Sequence, residues 1–287
     1  MRKLLYISAS LLFFFASCEK VISVDLEEGE KKLIVDGFLT NEATAQKIKL
    51  SVSQPYFDNA TPPPATGAIV KVISSIGDTF DFVENGNSGE YIWTPGSSDS
   101  LCKIGLSYTL EISYKGSVYN AYSSTNPVPK IDSINFIPNT GFGSVENTYL
   151  AEFHAMDSAG RTDYCWVKYY RNDTLFADAS SMILVVNGAF NAPGADGFEF
   201  IIPVRFGINN SSKPYHIGDS VKVEILSITE ATWQFLSETQ TQLNNGGLFA
   251  TPPANVRSNI SKTSGSGMNA LGWFSTSALS RRQETIK

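Results

Sequence analysis

The chain reads as mainly β: two β-rich units in succession behind a lipid-anchored N-terminus, with one helix in the second unit. Three observations predict this. Short runs rich in β-branched and aromatic residues recur along most of the 287 residues. Turn-forming clusters separate them at short intervals. Only one window carries an apolar spacing of helical period.

The N-terminus is a secretory signal. Arg2 and Lys3 precede an apolar run over residues 4–15, diluted by Tyr6, Ser8 and Ser10, and Ala16 and Ser17 lead into Cys18. This run is too short to remain as a spanning helix, which needs roughly 20 apolar residues. An ordinary secretory cut after Ser17 wants a small residue at position 15, where Phe15 stands. Small residues directly before a cysteine instead suit a lipoprotein signal, cut before Cys18 and anchored by lipid on its thiol. The commonest lipoprotein signal has an aliphatic residue where Phe15 is. Two or more acyl chains hold a protein stably in a membrane without a spanning helix. Residues 1–17 are thus read as signal and 18–31 as anchor and polar tether.

Cleavage leaves 287 − 17 = 270 residues and a formal charge of 20 − 28 = −8, since Arg2 and Lys3 are lost. That length suits two ordinary domains. An acidic chain is a poor partner for nucleic acid. A hydrophobic content of 42% suffices for packed cores rather than a disordered tether.

Seven strands are predicted over 32–39, 46–53, 68–74, 79–83, 90–94, 107–114 and 117–122. Ile48, Leu50 and Val52 alternate with Lys47, Lys49 and Ser51, and Tyr108, Leu110, Ile112 and Tyr114 repeat the pattern. Such alternation marks a half-buried strand. Pro62-Pro63-Pro64, Gly77-Asp78, Asn85-Gly86 and Lys115-Gly116 supply turns. Seven strands in about 100 residues is the pattern of an immunoglobulin-like or fibronectin-like sandwich over 32–127. Asn126-Pro127-Val128-Pro129 interrupts pairing, and a second β-rich domain is predicted over 128–287. Its strands are expected at 131–137, 148–156, 163–171, 181–186, 198–206 and 219–228, with a last one at 270–275. Between the last two, Trp233, Leu236 and Leu243 share a helical face over 229–243, with Thr229 as N-cap and Glu230 in the first turn. Asn244-Asn245-Gly246-Gly247 ends that helix, and residues 264–267, with Ser266 between two glycines, read as a flexible turn.

Groups that could carry chemistry are sparse. His154 and His216 are the two histidines, and neither pairs with another ligand at metal-binding spacing. No G-x-S-x-G elbow, P-loop or dinucleotide fingerprint occurs. Catalytic residues, metal and cofactor are therefore expected to be none, with an uncharacterised hydrolase kept as the least favoured alternative. Cys102 and Cys165 read as buried and unpaired, since a bridge would have to staple the two domains. Trp166 and Trp233 read as core, and Trp93 as the tryptophan most apt to be exposed.

Thirteen aspartates occur, and six of them precede Ser or Thr. Five continue with Ala or an aliphatic residue, which puts acceptor hydroxyls on Ser100, Ser133, Ser158, Thr174 and Ser220. The pattern resembles the acceptor sequence of Bacteroidota protein O-glycosylation. Asp and Ser also favour turns before strands for their own hydrogen-bonding reasons.

Several segments in order resemble the Bacteroidota envelope lipoproteins of domain-of-unknown-function family 4249. They are Cys18-Glu19-Lys20 with Lys32-Leu33-Ile34-Val35-Asp36-Gly37; Pro55-Tyr56-Phe57; and Pro127-Val128-Pro129 leading into Ile131-Asp132-Ser133-Ile134. Near the C-terminus come Phe249 with Pro252-Pro253-Ala254-Asn255-Val256-Arg257-Ser258-Asn259-Ile260, and Ala270-Leu271-Gly272-Trp273-Phe274-Ser275, where Tyr is common in place of Trp273. The resemblance implies an outer-membrane setting and neighbourhood with TonB-dependent receptors, and it transfers no catalytic residue. The expected function is an accessory, non-enzymatic binding lipoprotein of a TonB-dependent uptake system. The alternative is a stand-alone glycan-binding or adhesive surface protein. Loops over 57–66 and 140–148 are the expected contact regions.

Overall fold

Strand alternation in the sequence becomes buried–exposed alternation in space. The computed structural model describes residues 29–55, 58, 60–96, 100–140, 145–189, 196–246, 254–265 and 269–287. The signal, Cys18, Tyr56-Phe57, Phe249 with Pro252-Pro253, and Ser266 lie outside them. Residues Met1–Glu30 and Lys31–Lys287 form separate units, and the strands described below all belong to the second.

Strands β1 (Leu33–Thr40), β2 (Gln46–Val52), β3 (Ile69–Ser74), β4 (Thr79–Glu84), β5 (Glu90–Trp93), β6 (Ser107–Tyr114) and β7 (Ser117–Ser124) arise close to where the sequence predicts them. Lys115 and Gly116, with φ of 46° and 76°, join β6 to β7, the left-handed pair a two-residue hairpin requires. Two later strands, β14 (Ser261–Ser264) and β15 (Leu271–Ser277), complete this sheet in the order β14-β7-β6-β3-β4-β5-β2-β1-β15. β15 lies parallel to β1, with Ile34 opposite Leu271 and Thr40 opposite Ser277. The sheet curls until its ends meet, where the Thr276 N–H donates to Ser123 Oγ at 2.9 Å. Val35, Ile48, Leu50, Val72, Leu110, Ile112 and Phe274 fill the interior.

The remaining strands are β8 (Ile131–Pro138), β9 (Tyr149–Ala155), β10 (Tyr164–Arg171), β11 (Thr174–Leu175), β12 (Ile183–Val186), β13 (Ser220–Ile228) and β16 (Leu279–Thr285). β11, β10, β13 and β16 form a second sheet, with β12 also on β10, while β8 and β9 pair separately. Phe153, Val167, Tyr169, Phe200, Val223 and Ile225 make their core. The molecule is thus mainly β, as expected.

The stretch 198–206 departs from expectation. It is a single helical turn, α1 (Ile202–Arg205), preceded by one isolated bridge between Met156 and Glu199. Pro203 explains the difference: it has no N–H to give a ladder, yet suits the first turn of a helix. The long helix α2 (Glu230–Leu243) is capped as predicted, with Thr229 Oγ1 accepting from the Thr232 N–H at 3.1 Å. Its apolar face stops short of Leu243, which is 66% exposed. Near its end Gln240 donates from Nε2 to the carbonyls of Ala179 and Met182, and Gln242 Oε1 accepts from the Ala254 N–H at 3.0 Å. Among the described residues, no helix is long and apolar enough to cross a membrane.

Candidate functional site

Four titratable side chains gather where α1 meets β9. Ala151, Phe153 and Ala155 face the core, so Glu152 and His154 face away from it. The Phe200 N–H donates to the Ala155 carbonyl at 3.0 Å, which seats residues 198–205 across the strand end. Glu199 and Arg205 are thereby brought to the pair. His154 Nδ1 lies 2.5 Å from Glu199 Oε1, and Nε2 lies 3.7 Å from Glu152 Oε2. Arg205 donates to Glu152 at 2.9 Å and also pairs with Glu199. The bond from His154 holds the Glu199 carboxyl below its usual range, and Arg205 adds to the effect. Ser133 stands opposite His154 in the β8–β9 register. His154 Nε2 is buried and has no hydrogen-bond partner among the described residues. The four groups act as an ionic clasp on the 198–205 segment, leaving Met156, Phe198, Ile201 and Ile202 in solvent beside it.

A second cluster adjoins the first. Asp157 and Asp163 are both about 95% buried, with Asp157 6% and Asp163 5% exposed. Gly197 donates its N–H to Asp157 Oδ2 at 3.2 Å. Arg161 Nε lies 2.7 Å from Asp163 Oδ1, and Asp196 accepts from the Gly160 N–H. Burial pushes the Asp157 carboxyl up to about 6, against the pull of the Gly197 N–H and with Asp163 and Asp196 adding to the rise. No group of three or more His, Cys, Asp or Glu among the described residues is placed to hold a metal.

A third feature is a cleft of about 310 Å³ at the β10–β11 hairpin, lined by Arg171, Asn172, Thr174, Leu175, Phe176 and Lys213. Asn172 and Asp173 turn the hairpin at φ of 49° and 60°. Phe176 stacks on Tyr169 with ring centroids 4.6 Å apart, so its ring is fixed.

The other residues singled out in the sequence hold structure. Cys102 and Cys165 are free and buried in separate cores, and burial raises both thiols well above their ordinary range, which leaves little reactive thiolate. His216 is exposed, with Nδ1 3.8 Å from Asp219. Trp93 is half-buried, packing edge-on against Phe80 at 5.2 Å at the margin of the first core. Trp166 meets Phe38 edge-on with Lys168 Nζ 3.8 Å over its ring. Trp233 faces Tyr164 at 6.2 Å. Of the acceptor hydroxyls, Thr174 is exposed, while Ser100, Ser133, Ser158 and Ser220 are half-buried. Ser158 Oγ accepts from Arg161 and Ser220 Oγ from Gln283.

The family-like segments near the C-terminus prove to be fastenings. Asn259 accepts from the Phe274 N–H at 2.9 Å and donates to the Phe274 carbonyl at 2.7 Å, so one side chain stands in for a neighbouring strand on β15. Arg257 binds Glu238 of α2. Trp273 stacks on Phe235 at 4.6 Å and donates to Thr232 Oγ1 at 3.0 Å. Tyr at that position would keep the stacking ring.

The model of the domain-of-unknown-function family DUF4249 matches residues 19–283. No curated protein matches the chain. Among solved structures, a two-domain fibronectin type-III segment of chicken tenascin is 14% identical, covering 68% of this chain and 88% of its own, with a TM-score of 0.20. A DUF4785-family protein from Legionella pneumophila subsp. pneumophila str. Philadelphia 1 is 10% identical, with a TM-score of 0.23. The match covers 68% of this chain and about half, 52%, of that one.

Proposed function

The chain belongs to the domain-of-unknown-function family DUF4249, and from that premise we propose that it is a lipid-anchored outer-membrane protein serving as a non-enzymatic binding subunit of a TonB-dependent uptake system. Lipid on Cys18 ties it to the membrane, and a receptor of the TonB-dependent class is its protein partner. The observation that carries the reading is the surface around α1. There Glu152, Glu199 and Arg205 pair with one another and Glu199 with His154 Nδ1, while Phe198 and Ile202 stand 64% and 60% exposed with Met156 near them. Apolar side chains grouped in solvent and rimmed by polar ones favour a protein contact. A rigid β scaffold with its reactive groups committed to structure suits binding better than turnover.

The test is purification of the chromosomally tagged protein in mild detergent, with co-purifying proteins counted. A TonB-dependent receptor at near one-to-one ratio is expected, and Phe198→Ser with Ile202→Ser should reduce it at least tenfold. Recovery of the lipoprotein alone, under conditions that preserve other envelope complexes, would overturn the reading.

A further inference from the structure

The β10–β11 cleft gathers positive charge on an acidic protein. Its six lining residues include Arg171 and Lys213 and no carboxylate, while the whole chain carries a formal charge of −6. Arg171 is partly committed, its Nε lying 3.2 Å from Asp219 Oδ2 and its Nη1 donating to the Pro214 carbonyl at 2.9 Å. Lys213 has no carboxylate within ion-pair distance among the described residues. Its ammonium lies 5.7 Å from the centroid of the Phe176 ring. Two nearby acids are matched elsewhere: Asp173 to Lys222, and Asp219 to Arg171 and the Asn172 amide; Asp178, which acts on Tyr169, does not line the cleft. The cleft therefore joins an unmatched cation to an apolar floor, Phe176, and an apolar lip, Leu175, which is 38% exposed. Its volume falls at the lower end of small-molecule sites.

We propose that this cleft binds a small organic anion with an apolar body, the charged head meeting Lys213 and the Arg171 edge and the body lying along Phe176 and Leu175. Lys213 supplies charge, and Phe176, held by its stack on Tyr169, supplies a preformed surface that loses little entropy on binding. Asn172 serves the frame: its amide donates to Asp219 and its oxygen accepts from the Ser220 N–H. The proposal does not depend on a protein partner and survives if the receptor reading fails.

The test is ligand-observed NMR titration of the full mature chain with hexanoate, against acetate as the head alone and hexanol as the body alone. Hexanoate should bind with a Kd on the order of 1 mM, at least tenfold tighter than either control. Both Lys213→Gln and Leu175→Ser, each at an exposed position, should weaken it severalfold with thermal stability unchanged. Equal binding of hexanoate and hexanol would overturn the role of the charge. Absent binding, or binding unaltered in both variants, would overturn the site.

Discussion

Gly272 is where the curled sheet tolerates no side chain. It stands opposite Val35 in the parallel β1–β15 pair, at φ +93°, and a Cβ there would lie 1.9 Å from the Val35 carbonyl oxygen. Gly272→Ala therefore carries two costs. The left-handed backbone costs about 1–2 kcal/mol for an L-residue. To restore a 3.0 Å approach the strands must part by 3.0 − 1.9 = 1.1 Å. That stretches neighbouring ladder bonds beyond hydrogen-bonding range, at about 1 kcal/mol each. Together the loss is about 3–5 kcal/mol, or roughly 6–20 °C in Tm for a domain of this size. Gly218→Ala is the control. Its φ is +89°, but nothing lies within 4 Å of the added Cβ, so only the backbone cost of about 1–2 kcal/mol applies. Thermal and urea unfolding of the purified protein measures both. Equal losses in the two variants would refute the close-approach argument.

Further outcomes rest on the same geometry. Arg205→Ala leaves Glu152 and Glu199 without their shared cation and should cost about 1–3 kcal/mol, with faster hydrogen exchange at the Phe200 and Val204 amides; unchanged exchange would show that the clasp is idle. The folded Asp157 carboxyl titrates near 6 against an ordinary 3.8, so the fold favours its protonated form. Its contribution is complete below about pH 4 and is lost as pH rises through about 6. After allowance for solvent screening it amounts to about 1–2 kcal/mol. Asp157→Asn should accordingly flatten the fall in urea midpoint between pH 4 and 7, and a slope equal to wild type would contradict this. Trp273→Ala removes the stack on Phe235 and the bond to Thr232 and should cost about 3–5 kcal/mol, whereas Trp273→Tyr should cost well under half of that in the same unfolding assay. Intact mass of the protein from its native host should exceed the bare polypeptide from Cys18 onward by lipid, and by glycan at one or more of Ser100, Ser133, Ser158, Thr174 and Ser220; a mass equal to the polypeptide would sink both modifications.

The parts legible in the sequence are those with a local signature. Alternation at Ile48, Leu50 and Val52 places β2, and Thr229 with Glu230 places the start of α2, because each depends on residues a few positions apart. β16 escapes notice because Ser280, Arg281, Arg282, Gln283 and Glu284 expose much of a polar face. It is a strand because β13 offers it an edge, and Arg281 is held there by Glu224 and Glu42. The return of β14 and β15 to the first sheet leaves no local trace either. The His154 cluster could be half anticipated from Glu152 and His154 two apart on a strand. Glu199 and Arg205 arrive from a segment whose Pro203 was the available warning against a strand. The cleft at Lys213 depends on residues about forty positions from its other wall, which periodicity does not reveal.

The β1–β15 pair also sets a timetable for the chain. Ile34 and Leu271 are 271 − 34 = 237 residues apart. The first strand to leave a ribosome can pair early with β2, but it gains β15, its second neighbour, only once the chain as far as residue 271 has emerged. Until then its β15-facing edge is open, and the loop that must close is among the longest the chain allows, which makes the step slow. The first sheet therefore cannot close before β15 arrives, whatever the order in which its hairpins form.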